Sequence, residues 1–158
     1  MHASASLVND HAYVFMGDSG AGKSTITKLI SSSFQPLADD SIILKEHGNI
    51  LKKEGQYVFY QVPSPEKNAW IIKSSQSYPL GKIFFLHQSK ENKIVKIEDP
   101  EEVKEKFLKQ LHTEEDDVKN QLKTVLGVAA QKNLFYDLHF NLNDPKEVIY
   151  LLGNHERK

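Results

Sequence analysis

The 158-residue chain contains no cysteine, which excludes disulfides, thiolate metal sites and a cysteine nucleophile together. Arginine is almost as scarce: Arg157 is the only one, so any phosphate or carboxylate must be neutralised by lysine, backbone N–H groups or metal. No apolar run approaches the ~18–20 residues needed to span a bilayer, and the first residues lack the charged and apolar regions of a signal peptide. A net charge of −1 leaves no basic surplus for general nucleic-acid affinity. These absences lead us to expect a cytoplasmic globular protein without nucleic-acid or membrane partners. We expect a single domain over residues 1–158, long enough to bury a real core.

What is present begins with glycine. Gly17-Asp18-Ser19-Gly20-Ala21-Gly22-Lys23-Ser24 is a complete G-x-x-x-x-G-K-S pattern. The apolar run Ala12–Met16 before it reads as a buried strand. After it, Ile26, Leu29 and Ile30 fall at helical spacing, in a loop-and-helix segment reaching about Ser33. Strand, glycine loop and helix together make a phosphate cradle of converging N–H groups at a helix start. Lys23 reaches β- and γ-phosphates, and the Ser24 hydroxyl is placed to hold Mg²⁺. The nucleotide-contacting stretch is therefore Gly17, Asp18, Ser19, Gly20, Ala21, Gly22, Lys23, Ser24 and Thr25, with ATP and Mg²⁺ as the expected cofactors. The mobile arginine lid of small nucleotide kinases cannot be built from one arginine. Arg157, next to the final Lys158, is not expected to serve as a cis arginine finger.

Further along, Ser41–Lys45 and Ile50-Leu51-Lys52 suggest a hairpin about Gly48-Asn49, and Gln56–Val62 has strand-type residues throughout. Pro63 to Pro79, with the only tryptophan, Trp70, reads as a long connection of the kind that is often functional. Lys82–His87 reads as a buried strand and Lys93–Ile97 as its partner across a polar turn. Asp99-Pro100-Glu101-Glu102 carries the signals of a helix start, with Val103, Phe107, Leu108 and Leu111 as its apolar face. A second helix from about Glu114 puts Val118, Leu122, Val125, Leu126 and Ala129 on one face. Phe135–Leu142 alternates like a strand, with Leu134, Tyr136, Leu138, Phe140 and Leu142 on one side. Asp144-Pro145 opens a last helix that stops at Gly153. The expected fold is α/β: a P-loop core with a twisted mixed sheet around the loop strand, antiparallel hairpins at 41–62 and 83–97, and flanking helices.

The paired acids Asp39-Asp40 follow Lys23 by sixteen residues. A helix going out and a strand coming back brings them beside the loop. One carboxylate there can serve the metal shell and the other can act as base for an acceptor hydroxyl. The relay acid common in P-loop ATPases follows an apolar strand far downstream, but Ile83–Leu86 ends at His87, with no acid.

His2-Ala3-Ser4-Ala5-Ser6, the loop Gly17–Thr25 and Leu37-Ala38-Asp39-Asp40 resemble the nucleotide core shared by HPr kinase/phosphorylase and ATP-dependent phosphoenolpyruvate carboxykinase. His2 stands fifteen residues before Gly17, the spacing of a histidine in that superfamily, and Asp39-Asp40 match its aspartate pair. Tyr78–Leu86 and Leu134–Leu152 are similar to small kinases of the same group. The specific part covers residues 2–44. The resemblance implies Asp39 as base toward an acceptor hydroxyl, Asp40 as the metal-side acid, and His2 near the γ-phosphate or a second metal. A strand starting near His2 is then expected beside the loop strand, carrying the imidazole toward the phosphates. His11, His47, His87, His112, His139 and His155 read as surface or structural. The glycine-rich HPr kinase signature is missing, which argues against HPr as acceptor, and one arginine does not suit the carboxykinase reaction.

The resulting expectation is a kinase moving the γ-phosphoryl of ATP to a serine of a protein or peptide. A small-metabolite kinase and a nucleotide-binding regulatory protein with little turnover are the alternatives, and homo-oligomerisation is left open. An apolar, positively charged lining around Trp70 would favour a peptide acceptor, and a closed polar pocket a metabolite.

Overall fold

The structure, a computed structural model, describes residues 1–47, 56–63, 70–110 and 118–155. Its first two strands, β1 (Ser4–Val8) and β2 (His11–Met16), form an antiparallel hairpin. Asn9 and Asp10 make the turn with φ of 49° and 65°, a conformation that these short polar side chains tolerate. Every residue from Ala12 to Met16 is buried, because β2 is covered on both faces. The strand expected near His2 is therefore present, and it runs beside the loop strand with Ser4 opposite Phe15.

Helix α1 (Lys23–Leu29) follows the loop, and β3 (Gln35–Ala38) returns antiparallel to β1. Next come β4 (Ile42–His47) and β5 (Gln56–Gln61), paired antiparallel from Ile42–Gln61 to His47–Gln56. The 41–62 hairpin is thus present, with 56–61 as the second strand. The Gly48-Asn49 turn and Ile50–Lys52 lie outside the described residues.

The long strand β6 (Ser77–Gln88) organises the rest. Its start pairs with β5 around Tyr78 and Pro79. Its second half lies between β2 and β8 (Phe135–Phe140), parallel to both. β7 (Lys93–Lys96) pairs with β8 and not with β6, which corrects the expected 83–97 hairpin. The alternating apolar residues of β8 let it enter between the two. The sheet order is β3-β1-β2-β6, then β8-β7 at the far end of β6 and β5-β4 at its start.

Alternation along β2 and β6 divides the interior into two cores. Tyr13, Phe15, Phe84 and Leu86 face Ile26 and Ile30 around α1, and Val148 and Leu152 of α4 (Pro145–Asn154). Val14, Met16, Ile83 and Phe85 face the other side, with Val103 and Phe107 of α2 (Pro100–Leu108) and Val125 and Val128 of α3 (Val118–Ala129). Phe84 is fully buried, with ring centroids of Tyr13, Phe15 and Tyr136 within 5.8 Å. Its truncation to alanine should remove about 3–5 kcal/mol of stability.

The helix signals hold: Asp99 accepts a hydrogen bond from Glu101 N, and Asp144 from Glu147 N. The α3 face is rotated from the expected one. Val125 and Val128 are buried, whereas Leu122 and Leu126 are exposed. Gly127 accounts for the closeness on the buried side, since a Cβ there would lie 2.0 Å from the Tyr57 hydroxyl. In β8, Tyr136, Leu138 and Phe140 share a core as expected. Leu134, just before the strand, joins the opposite core, and Leu142, just beyond it, is exposed. Arg157, His112, Leu111 and the stretch from Glu114 to Asp117 lie outside the described residues. Among those described, no helix is long and apolar enough to cross a membrane.

Candidate nucleotide site at the glycine loop

The loop leaves β2 at Met16, at the end of the buried parallel strands, and turns tightly as Ala21 N donates to the Asp18 carbonyl (3.0 Å). Ile26 N donates to the Gly22 carbonyl (2.8 Å) and opens α1. Gly22 has φ of 101°, and a Cβ there would lie 2.9 Å from Phe140 Cζ, so conformation and space both require glycine. No side chain caps α1, which leaves its first N–H groups to a ligand.

Lys23 folds back over the loop, and its ammonium donates to the carbonyls of Gly17 (2.7 Å) and Asp18 (3.1 Å). A phosphate entering the cradle meets this charge already positioned. Ser24 and Thr25 are exposed at the first turn of α1. The loop is braced from behind by the Ser4 hydroxyl, which donates to the Lys23 carbonyl (2.8 Å) and accepts from Thr27 Oγ1 (2.8 Å). Gln88, at the end of β6, donates to the Gly20 carbonyl (3.2 Å).

Asp39 and Asp40 emerge from β3 at the loop end of the sheet, with β1 lying between β3 and β2. Backbone bonds from Ala3 N to Asp40 O (3.1 Å) and from Ile42 N to Met1 O (3.1 Å) stitch residues 1–3 along this acidic turn. His2 N donates to Gln110 O just past α2, and His2 Nδ1 lies 3.7 Å from Asp40 Oδ1. The first residues are thus built into the sheet edge. Asp39 is buried, at 8% exposed, while Asp40 faces solvent, so the two carboxylates occupy different environments.

The other flank of the loop holds a cluster that includes His87 and His139, two histidines whose sequence context suggests only a surface or structural role. His87, near the end of β6, and Asp137, in the middle of β8, meet at 2.7 Å. Lys106 of α2 donates to both Asp137 oxygens (2.8 and 3.1 Å) and pairs with Glu102 at 2.7 Å. Burial alone would push the Lys106 ammonium down, but hydrogen bonds and charge from Asp137 and Glu102 outweigh it and raise its pKa. His139 stacks on His87 at 4.8 Å, and burial first, then the neighbouring His87 and Lys93, lower its pKa. The missing acid after Ile83–Leu86 was the available signal: the carboxylate on this flank stands one strand over.

Two hollows adjoin the loop. One of about 240 Å³ lies between Gly17, Asp18 and Ala21 and the side formed by His87, Lys106, Lys109 and Gln110. Another of about 430 Å³ is lined by Ser24, Thr25, Lys28, Leu29 and Trp70. Among the described residues no three His, Asp or Glu side chains converge on a metal position. The exposed Ser24 hydroxyl and Asp40 carboxylate are oxygen donors of the kind Mg²⁺ takes together with the phosphates of a nucleotide.

Comparison with curated protein sequences yields no match. The fold is similar to that of the Hpr(Ser) kinase/phosphatase from Coxiella burnetii, with a TM-score of 0.52 and 16% sequence identity over 99% of this chain and 95% of that one. Residues 1–148 match the sequence model described as ABC transporter. The α/β P-loop fold, the formed glycine loop and the extent of that match agree on P-loop ATPase-type nucleotide binding, and the chain belongs to the ABC transporter family.

Proposed function

We propose that the protein is an ATP- and Mg²⁺-dependent phosphotransferase that moves the γ-phosphoryl group to a hydroxyl, in the manner of the HPr kinases that its sequence resembles. The observation that carries this reading is the gathering of His2, Asp39 and Asp40 at the loop end of the sheet. In this reading the loop amides and Lys23 hold the β- and γ-phosphates. Asp39, in its buried setting, takes the proton of the acceptor hydroxyl as the oxygen attacks phosphorus in line. The exposed Asp40 and the Ser24 hydroxyl would hold Mg²⁺, which when bound offsets charge on the phosphate oxygens. His2, 3.7 Å from Asp40, keeps that carboxylate company on the phosphate side.

The acceptor reading rests on the hollow beside α1. Leu29 and Trp70 are apolar and Lys28 is cationic, a lining that favours a serine-bearing peptide over a small polar metabolite. The test is a titration with ATP and ADP, followed by a γ-phosphate transfer screen over cell extract. Transfer to a protein band that requires Asp39 supports the proposal. ATP binding without transfer to any component favours a nucleotide-binding regulatory protein instead.

A further inference from the structure

The segment from Trp70 to Gln76 reaches β6 from outside the sheet, and one buried side chain fastens it there. Gln61, at the end of β5, donates its amide hydrogens to the Leu37 carbonyl of β3 (2.8 Å) and to the Ile72 carbonyl (3.0 Å). Its amide oxygen accepts from Ser74 N (2.7 Å). Both amide hydrogens and the oxygen are thus engaged, which fixes the segment as a strap across the sheet. Lys73 adds a bond to the Val62 carbonyl. Leu37 lies two residues before Asp39, and Gln61 is paired with Ile42 of β4 just beyond Asp40. The strap therefore crosses beside the acidic turn. At its start, Trp70 faces Ser24 and Thr25 in the first turn of α1.

Ile71 is buried beneath the strap, whereas Ile72 turns outward and is 71% exposed, the most exposed large apolar side chain among the described residues. It stands between two hollows of about 430 Å³ each. Leu29 and Trp70 give the first its apolar wall, and Tyr60, Val62 and Pro63 give the second its own. Trp70 lines one and Lys73 the other, and three residues of chain separate them by at most about 11 Å. An extended peptide of about four to six residues covers both. The exposed Lys28 stands at the first hollow, and Lys45 lies 5.5 Å from the centre of the Tyr60 ring at the second. Among the described residues no Asp or Glu lines either hollow. An apolar centre with a cation at each end complements a partner that is apolar in the middle and acidic at its flanks. We propose that this strap is the docking surface for the phosphoryl acceptor, an extended peptide with a bulky apolar residue beside its serine and acidic residues on both sides. The apolar residue packs on Trp70 and Ile72, and the acids face Lys28 and Lys45. The inference rests on the transfer reading for the role of the serine. Acids about two or three positions from the serine reach the lysines, while acids adjoining it would meet the like charge of Asp39 and Asp40.

Trp70 is the only tryptophan of the chain, so its fluorescence reports on the strap alone. The experiment titrates the full chain, with ADP and Mg²⁺ present, with two synthetic peptides in which alanine replaces the serine. Both carry leucine beside that alanine; one has glutamates at the flanks and the other lysines. The glutamate peptide should change Trp70 emission saturably and bind about tenfold more tightly than the lysine peptide, with a preference that shrinks in salt. Lys28→Glu and Lys45→Glu should each weaken the glutamate peptide by about fivefold and strengthen the lysine peptide. Ile72→Ser, at an exposed position that leaves the fold intact, should weaken both peptides alike. The serine forms of the peptides then serve as acceptors for labelled γ-phosphate. No saturable Trp70 response, equal binding of the two peptides, or a preference unchanged by both charge reversals overturns the inference. Concentration-dependent self-association that Ile72→Ser abolishes, without peptide binding, overturns it too and gives the strap to a second copy of the chain. Charge-selective docking without transfer to the serine peptide keeps the strap as a docking surface and removes the transfer reading. Asp39-dependent transfer to a protein acceptor with no charge preference does the reverse.

Discussion

The two flanks of the loop strand are built by different physics. On the β1–β3 side the backbone does the organising: Ala3 pairs with Asp40 and His2 with Gln110, while the side chains of His2 and Asp40 stand apart at 3.7 Å and largely in solvent. On the β6–β8 side the side chains organise one another, with His87, Asp137 and Lys106 locked at 2.7–2.8 Å. The first arrangement can adjust its carboxylates around an arriving ion or acceptor. The second has its donors and acceptors already paired, so its imidazole is set before any nucleotide arrives. One loop thus lies between an adaptable edge and a preorganised one.

The sharpest way to break this comparison is to neutralise the adaptable edge. Asp39→Asn keeps shape and hydrogen bonding but loses the base, and γ-phosphate transfer should fall by about 10²-fold or more with ATP binding retained. Asp40→Asn should instead raise the Mg²⁺ concentration needed for half-maximal transfer. Wild-type transfer in both variants would reduce Asp39-Asp40 to a solvated turn. The loop common to both flanks comes next. Lys23→Ala removes a charge-assisted contact and should weaken ATP binding by about 10–100-fold. Lys28→Ala, on an exposed part of α1, should change it far less. Equal ATP affinity in Lys23→Ala and wild type would remove the loop from both arguments.

The difference between the flanks also sets what could be read from the sequence. Residues 2–40 are contiguous enough for spacing to speak: the glycine loop, the strand before it and the paired acids were all legible. The returning strand Gln35–Ala38 was legible only from the need to bring the acids back to the loop and not from its own pattern, because four residues containing a proline carry little periodicity. In β6, Pro79 and Gly81 hid the start of the strand, so Ser77–Pro79 read as part of a connection and the strand only from Lys82. The β6–β7 hairpin failed for a topological reason, since nothing local reports that a strand 50 residues on will enter between two neighbours. His87 and Asp137 were illegible as a pair for the same reason. Their separation of 50 residues is closed only by the parallel pairing of β6 with β8.

A smaller effect sharpens the comparison at the adaptable edge. His2→Ala should lower turnover a few-fold, because the imidazole attends Asp40 without being locked to it. The unfolding midpoint should hardly move, since the backbone pairs of residues 1–3 survive the substitution. Kinetics and Mg²⁺ dependence identical to wild type would make His2 a surface residue of that edge.

The smallest expected effect tests whether the other flank is as preorganised as its distances imply. His139 stacks on His87, and its pKa is lowered by burial first and then by the neighbouring His87 and Lys93, with Asp137 opposing. Its folded-state value therefore lies below the unfolded value of about 6.5. Between the two values the unfolded chain binds the proton and the folded chain does not, so stability must fall as pH drops below about 6.5 and level off once the folded group also titrates. His139→Gln removes the titration and should flatten this slope in urea-unfolding midpoints measured from pH 7.5 to 5. Partial exposure and screening by solvent keep the change small. The comparison is made in the His87→Gln background as well, where a residual slope that vanishes on adding His139→Gln isolates the second histidine. An unchanged slope in both backgrounds would mean that His139 is solvated in the folded protein and that the stacked pair is loose. The β6–β8 flank would then be no more preorganised than the edge carrying Asp40.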